Sequence, residues 1–214
     1  TFNRRMKYLR PYLKNKKKIL EVGCSSGFML FPLIKKGHHC SGIEPSGVFS
    51  KFLKKKYIEI YDSIDILKKK KKKFDLIIHF FVLEHISNPI EFTKTLLFLL
   101  KKNGKIIFEI PNVAEPLHTL FKIPEFEKFY WSIAHHWYFS EKSLKYVLDR
   151  FKKPYKIELD QRYDASNHIE WNTEGKPGGM KKYTSLLGED LEKEYKNFLI
   201  KSRHCDTLIG IIKN

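Results

Sequence analysis

The sequence predicts an α/β protein: a mostly parallel seven-stranded sheet with helices on both faces. Three observations carry that expectation. Strand-type and helix-type segments alternate from residue 19 onward. The first strand runs through a glycine turn into the apolar segment Phe28 to Ile34. Phe74 to Phe80 is apolar almost throughout, as suits a strand covered on both faces.

The elements follow in order. A strand over Ile19–Val22 leads through Gly23 and Gly27 to a helix over Phe28–Lys36. A strand over His39–Glu44 leads to a helix over Ser46–Lys55, with Ser46 as N-cap. A strand over Tyr57–Tyr61 and a lysine-rich connection come before the Phe74–Phe80 strand. Asn88-Pro89 opens a helix that runs to Leu100, because proline suits a first helical turn. Lys102-Asn103-Gly104 stops it, and a strand over Lys105–Ile110 follows. Pro111 to Trp131 is a loop with short helical pieces, too apolar for a solvated linker. Ser140–Phe151 reads as a helix, Tyr155–Tyr163 and Asp206–Ile212 as strands, Gly175–Gly179 as a loop and Glu189–Lys201 as a polar helix. Residues 1–214 form one domain, with a ligand-binding half over about 15–112 and lids over 111–139 and 164–204 at the sheet's C-terminal edge.

Composition narrows the function. A chain of 214 residues suffices for one core, and no apolar run approaches membrane-spanning length. No leader-type segment opens the sequence, yet it does not begin with Met, so upstream residues are expected. Cys24, Cys40 and Cys205 fit neither a zinc site nor a disulfide framework, so a reducing cytoplasm and no metal site are expected. The formal charge of +17 suggests nucleic acid, but only six of the 41 basic residues are Arg. Arg is the residue whose planar fork reads phosphates and base edges. Nucleic acid is therefore not the expected partner, and Lys68–Lys73 reads as a solvated surface before it reads as an anion patch.

A strand, a glycine turn and a helix make a place where a nucleotide-like ligand lies against bare backbone. Glu44 falls 17 residues after Gly27, about where such folds put a carboxylate on ribose hydroxyls. The loop Glu21-Val22-Gly23-Cys24-Ser25-Ser26-Gly27 resembles the E/D-x-G-x-G-x-G loop of class I (Rossmann-like) S-adenosylmethionine-dependent methyltransferases, with Ser25 at the middle glycine. Phe74-Asp75-Leu76-Ile77-Ile78 with Val82-Leu83-Glu84-His85 resembles their fourth strand and following turn, and Lys102–Ile107 their fifth-strand entry. Farther on, Glu109-Ile110-Pro111, His135-His136-Trp137-Tyr138-Phe139-Ser140 through Leu144, Ser166-Asn167-His168 and Gly175–Gly179 resemble a subgroup that modifies sugars and glycan precursors.

The resemblance implies S-adenosyl-L-methionine as cofactor. It places the backbone of Gly23, Cys24, Ser25 and Gly27 against it, Glu21 near its ammonium group, and Glu44 with Pro45 at its ribose. Asp62, Ser63 and Ile64 fall at the adenine, with Asp65 an alternative to Asp62; Phe80 and Phe81 line the methionine pocket or pack in the core. His135 is the catalytic candidate, as general base or substrate anchor, since an imidazole with a pKa of about 6.5 takes a proton near neutrality. Its other reading is a cap for the helix that follows. His136, Tyr138 and His168 are substrate candidates, His85 reads as a structural hydrogen-bonder, and the aromatic cluster Phe126–Tyr138 as lid packing. The implied function is methyl transfer to a small molecule: a sugar, nucleotide-linked sugar or glycan precursor. RNA methylation and a non-catalytic scaffold are the alternatives.

Overall fold

Burial on both faces decides the central strand. In the computed structural model, which describes residues 1–214, every residue of the Phe74–Phe80 strand except Asp75 is buried. In chain order, α1 (Phe2–Leu9) and a 3-10 turn (Arg10–Tyr12) lead to β1 (Lys18–Val22), α2 (Leu30–Lys35), β2 (His39–Ile43), α3 (Gly47–Lys55), β3 (Glu59–Tyr61), α4 (Ile64–Lys69) and β4 (Phe74–Phe80). A second 3-10 turn (Leu83–His85) leads to α5 (Pro89–Leu99) and β5 (Leu100–Pro111). Then come α6 (Pro116–Thr119), α7 (Pro124–Tyr130), α8 (Glu141–Asp149), β6 (Tyr155–Asp160), α9 (Ala165–Glu174), α10 (Thr184–Leu187), α11 (Glu189–Lys201) and β7 (Thr207–Lys213).

The strands form one seven-stranded sheet in the order β3-β2-β1-β4-β5-β7-β6. Pairings β1–β2, β2–β3, β1–β4 and β4–β5 are parallel, whereas β7 runs antiparallel to both β5 and β6. The mostly parallel sheet expected from alternation is therefore corrected to a mixed one. The reason is the route of the chain. Residues 161–206 leave β6 at the C-terminal edge and fold their helices there, so the chain re-enters the sheet at the end it left and β7 points the other way.

Helices cover both faces. Ile77, Ile106 and Phe108 pack with Leu67 of α4, Leu96 and Leu99 of α5 and Leu144 and Leu148 of α8. Leu76, Ile78 and Ile107 point oppositely and pack with Met6 and Leu9 of α1, Met29, and Leu33 of α2. This is the period-2 alternation of a strand put to use on two sides. The fully buried carboxylate of Glu109 on β5 binds α1 to the sheet, accepting from Arg5 Nε at 2.9 Å and from Tyr8, with Arg4 at 2.7 Å.

Several elements differ from the sequence reading: β3 begins at Glu59, β6 ends at Asp160, and α1 and α10 have no counterpart in it. The expected helix stop at Lys102-Asn103-Gly104 lies inside β5: Phe74 pairs with Leu100 and Leu76 with Lys105, so the extra residues form a bulge with Asn103 at φ +63°. Residues 165–174, not assigned to any element from sequence, form α9. Its buried face includes Ser166, Asn167, His168 and Glu170, so no apolar period announces it.

The tightest packing lies where β7 crosses β5. A Cβ on Gly210 would sit 2.1 Å from the ring of Phe108, itself 1% exposed. Gly210→Ala is expected to destabilise the fold by about 1–3 kcal/mol, through overpacking. The check is the midpoint of urea unfolding; an unchanged midpoint would contradict this packing.

Candidate active site

The chain leaves β1 toward β2 on one side and returns to β4 on the other, so the C-terminal ends of β1 and β4 frame a crevice at the switch point. The turn after β1 enters it. Gly23 and Gly27 take φ +69° and +83°, and a Cβ on Gly23 would lie 2.7 Å from Val82 Cγ2, so only glycine lets this turn approach the segment after β4. Ser25 takes φ +46°, which explains why the motif it resembles carries glycine there. The Cys24 thiol turns inward against Gly42, and burial pushes it up to about 12, leaving only its backbone toward the crevice.

Glu44 ends β2 and is buried. Its carboxylate accepts from Ser25 N at 2.6 Å and from Ser46 N at 2.9 Å, tying the turns after β1 and β2 together. Ser46, expected to cap α3 through its hydroxyl, stands at the N-cap but makes no side-chain cap bond. Pro45 is exposed beside Glu44. Glu21, 4% exposed, has a carboxylate oxygen without a partner, and burial pushes its pKa up to about 8. A buried carboxylate with a free oxygen beside a glycine turn suits a ligand's cation or hydrogen-bond donor.

At the end of β3, Asp62 is exposed and accepts from Ser50 Oγ and Lys54 Nζ, both at 3.1 Å; that lysine bond holds its pKa below the usual value. Ser63 is the N-cap residue of α4, and Ser63 and Ile64 are half-buried. Phe80 is buried in the core with the Arg5 guanidinium 3.9 Å above its ring. Phe81 is half-buried at φ +58°, facing Arg162 at 4.3 Å.

Across the crevice, the turn after β4 meets residues 134–138. Glu84 O accepts from His136 N at 2.8 Å and Trp137 N at 3.2 Å. Those bonds bring His135 to Glu84 and His85: one donor atom from each lies within 4.8 Å of the others. Glu84 is 1% exposed with an unpartnered oxygen, and burial pushes its pKa up to about 7. His135 Nδ1 is also buried and unpartnered, and burial, then His85, hold its pKa below the usual imidazole value. The helix-cap reading of His135 is replaced by Ser140 and Ser143, which form a reciprocal capping box on α8. The His136 side chain is exposed. Tyr138 spends its hydroxyl on the 130–132 backbone, accepting from Ser132 N at 2.5 Å and donating toward Tyr130 O at 3.0 Å.

The lid elements form their own core, with Phe126 edge-on to Trp171 at 5.1 Å. Glu192 of α11 accepts from Ala165 N at 2.7 Å and from Ser166, fixing the start of α9. His168 is buried there: Nδ1 lies 2.6 Å from Tyr195 Oη, and Nε2 has no hydrogen-bond partner, 3.9 Å from Glu115. Burial holds its pKa down at about 4. Glu115 and Asp206 are buried near one another and both raised by burial, with Arg162 Nε 3.6 Å from Asp206. Sequence reasoning passed over Glu84 as a site residue, and Glu115, Arg162 and Asp206 altogether. No local spacing marks them, because they meet only through the sheet's connections. A cavity of about 710 Å³ lies elsewhere: Lys18, His39, Lys72 and Lys101 line it at the N-terminal ends of the strands.

A family model described as a methyltransferase domain matches residues 2–151. The chain is similar to the ubiquinone biosynthesis O-methyltransferase of Coxiella burnetii, 30% identical over 116 residues, covering 50% of each protein. It is also similar to the tRNA U34 carboxymethyltransferase of Helicobacter pylori, 30% identical over 112 residues, covering 47% of this chain and 43% of that one. The chain thus spans about half the length of the curated relatives it matches. Among solved structures, a SAM-dependent methyltransferase from Archaeoglobus fulgidus superposes with TM-score 0.67 at 20% identity, over 99% of this chain and 92% of that one. No helix is long and apolar enough to cross a membrane. The chain belongs to the methyltransferase-domain family, within the class I, S-adenosylmethionine-dependent methyltransferases.

Proposed function

We propose that this chain transfers the methyl group of S-adenosylmethionine to a hydroxyl-bearing small molecule held under the lid. The observation that carries the reading is the pair of carboxylates on the glycine turn: Glu44, which accepts from Ser25 N and Ser46 N, and Glu21, buried with an unpartnered oxygen. Glu21 fits the cofactor's ammonium group and Glu44 its ribose hydroxyls, with Gly23, Cys24, Ser25 and Gly27 offering backbone. Bound S-adenosylmethionine supplies an electrophilic methyl on a sulfonium, a good leaving group. The protein's part is alignment and exclusion of water. His135 acts on the acceptor, as base or anchor, with Glu84 behind it. Tyr138 holds the 130–132 turn in place, and Phe81 with Arg162 walls the side nearest β4.

For the acceptor we assign a sugar or glycan-precursor metabolite, on the resemblance carried by His135 through Leu144. One curated relative is named for O-methylation in ubiquinone biosynthesis and the other for carboxymethylation of tRNA U34. An RNA acceptor, the second reading, draws support from the +17 charge and the tRNA relative. Against it, the lysine-lined cavity lies at the opposite edge of the sheet, where it cannot deliver a strand to His135.

Three outcomes are expected. Glu44→Ala weakens S-adenosylhomocysteine binding about ten- to a hundred-fold, as for a lost charged hydrogen-bond acceptor; undiminished affinity by calorimetry removes the cofactor assignment. His135→Asn lowers kcat by about a hundred-fold while leaving that affinity within about two-fold; unchanged turnover under saturating donor removes His135 from the chemistry. Glu21 gives the ligand-free protein a pH signature. Its folded pKa of about 8 lies above the ordinary 4.5, so its contribution to stability is full below about pH 4.5 and is lost as pH rises toward 8. Glu21→Gln stays neutral and flattens that part of the profile; urea unfolding across this range that is parallel for both proteins would contradict the burial argument.

A further inference from the structure

We propose that Glu84, His85 and His135 bind a divalent transition-metal cation at the acceptor end of the crevice. The inference rests on the reading of that end as the acceptor site. Three donors, one carboxylate and two imidazoles, converge there, within 4.8 Å of one another, from two segments distant in sequence. Convergence alone is weak evidence; the state of each donor is stronger.

Glu84 is 1% exposed, and its Oε2 has no hydrogen-bond partner. His135 Nδ1 is likewise buried and unpartnered. Leaving either group so costs free energy that a ligand recovers. His85 is already set as a ligand. Its Nδ1 lies 2.8 Å from Ala134 O, an acceptor only, so the proton resides on Nδ1 and the Nε2 lone pair is free. That second-sphere bond to a carbonyl is how metal-binding imidazoles are commonly oriented. Nε2 stands 4.0 Å from Glu84 Oε1, too far for a hydrogen bond. Two ligands of one ion, each at about 2.0–2.2 Å, lie about 3 Å apart, so a small side-chain rotation completes the set. The backbone is already fixed, since Glu84 O holds both His136 N and Trp137 N.

The donor chemistry selects the ion. One carboxylate and two imidazoles suit Zn²⁺, Mn²⁺ or Fe²⁺ better than Mg²⁺ or Ca²⁺, which prefer all-oxygen shells. The His85 side chain is 41% exposed, so the site opens to solvent, and three protein ligands leave positions for acceptor oxygens. A cation here holds a hydroxyl-bearing acceptor and lowers the pKa of the coordinated hydroxyl. His135 then acts on the acceptor through the cation.

The test is calorimetric titration of the full chain, stripped with chelator, with MnCl2 and separately with ZnCl2, without methyl donor. One-to-one binding is expected for the wild type, weakened at least about ten-fold in Glu84→Gln and in His135→Asn. S-adenosylhomocysteine titrated into the same variants, expected unchanged, shows that they are folded. No binding by the wild type, or equal affinity in the variants, overturns the metal site while leaving the cofactor reading intact. Metal binding that follows the prediction in a protein that does not bind S-adenosylhomocysteine supports the metal site and overturns the cofactor reading instead.

Discussion

Everything at the crevice hangs on the carboxylate of Glu44. It ends β2 and accepts from one amide in the turn after β1 and another in the turn after β2. The backbone already brings these connections together, since Ile43 O accepts from Gly23 N at 2.9 Å, and the Glu44 side chain extends that tie to Ser25 and Ser46. The tie is electrostatically sound, because a carboxylate accepts from two N–H groups without either turn giving up a ladder bond. It also holds Ser25 in a left-handed conformation that a β-carbon disfavours. With that turn fixed, Gly23 comes close enough to Val82 that the segment after β4, and therefore Glu84, has its place.

A second property follows from the unpartnered groups. Most buried polar atoms in a folded protein are hydrogen-bonded. Here Glu21, Glu84, His135, Asn167 and His168 each keep a buried side-chain atom without a hydrogen-bond partner, as do Tyr61, His79 and Arg162. Several of them ring the crevice and the lid above it: Glu21 under the glycine turn, Glu84 and His135 across from it, His168 and Arg162 beneath the lid. The fold's hydrophobic layers hold without those groups, so their cost falls on the site. A site that stays polar and incompletely bonded is prepared to exchange its deficits for a ligand's donors and charges.

The sequence made some of this readable and hid the rest for identifiable reasons. β1, its glycine turn and β4 were plain because short-range pattern and burial agree there. The place of Glu44 at the end of β2 is readable from spacing, although its bonds to the loop amides are not. The direction of β7 was not readable, because Thr207–Lys213 is apolar on either assumption and only the path of residues 161–206 fixes it. α9 was missed because its buried face is polar, and the periodicity that marks helices is an apolar one. Glu84 and His85 were visible as a motif, but not as partners of His135, which stands 50 residues farther along. The bond from their turn to His136 and Trp137 is a backbone bond, and sequence composition does not encode it.

The charge of the molecule and the charge of its site point in opposite directions. The chain carries +17, yet the crevice and its lid bring Glu21, Glu44, Glu84, Glu115 and Asp206 together with Arg162 as the nearby cation. Lysines populate the outer surface and the N-terminal edge, in high dielectric, where their field is screened over about 10 Å at ordinary salt. The acids sit in low dielectric, where each interaction is felt more strongly. A phosphate-rich polymer attracted to the outside finds buried carboxyl groups rather than lysines at the crevice. A hydroxyl-rich acceptor can hydrogen-bond to such groups whether or not they carry a proton, and a cation bound among Glu84, His85 and His135 would favour their ionised form. Net charge thus describes how this protein meets its surroundings, while the local arrangement of carboxylates decides what may enter.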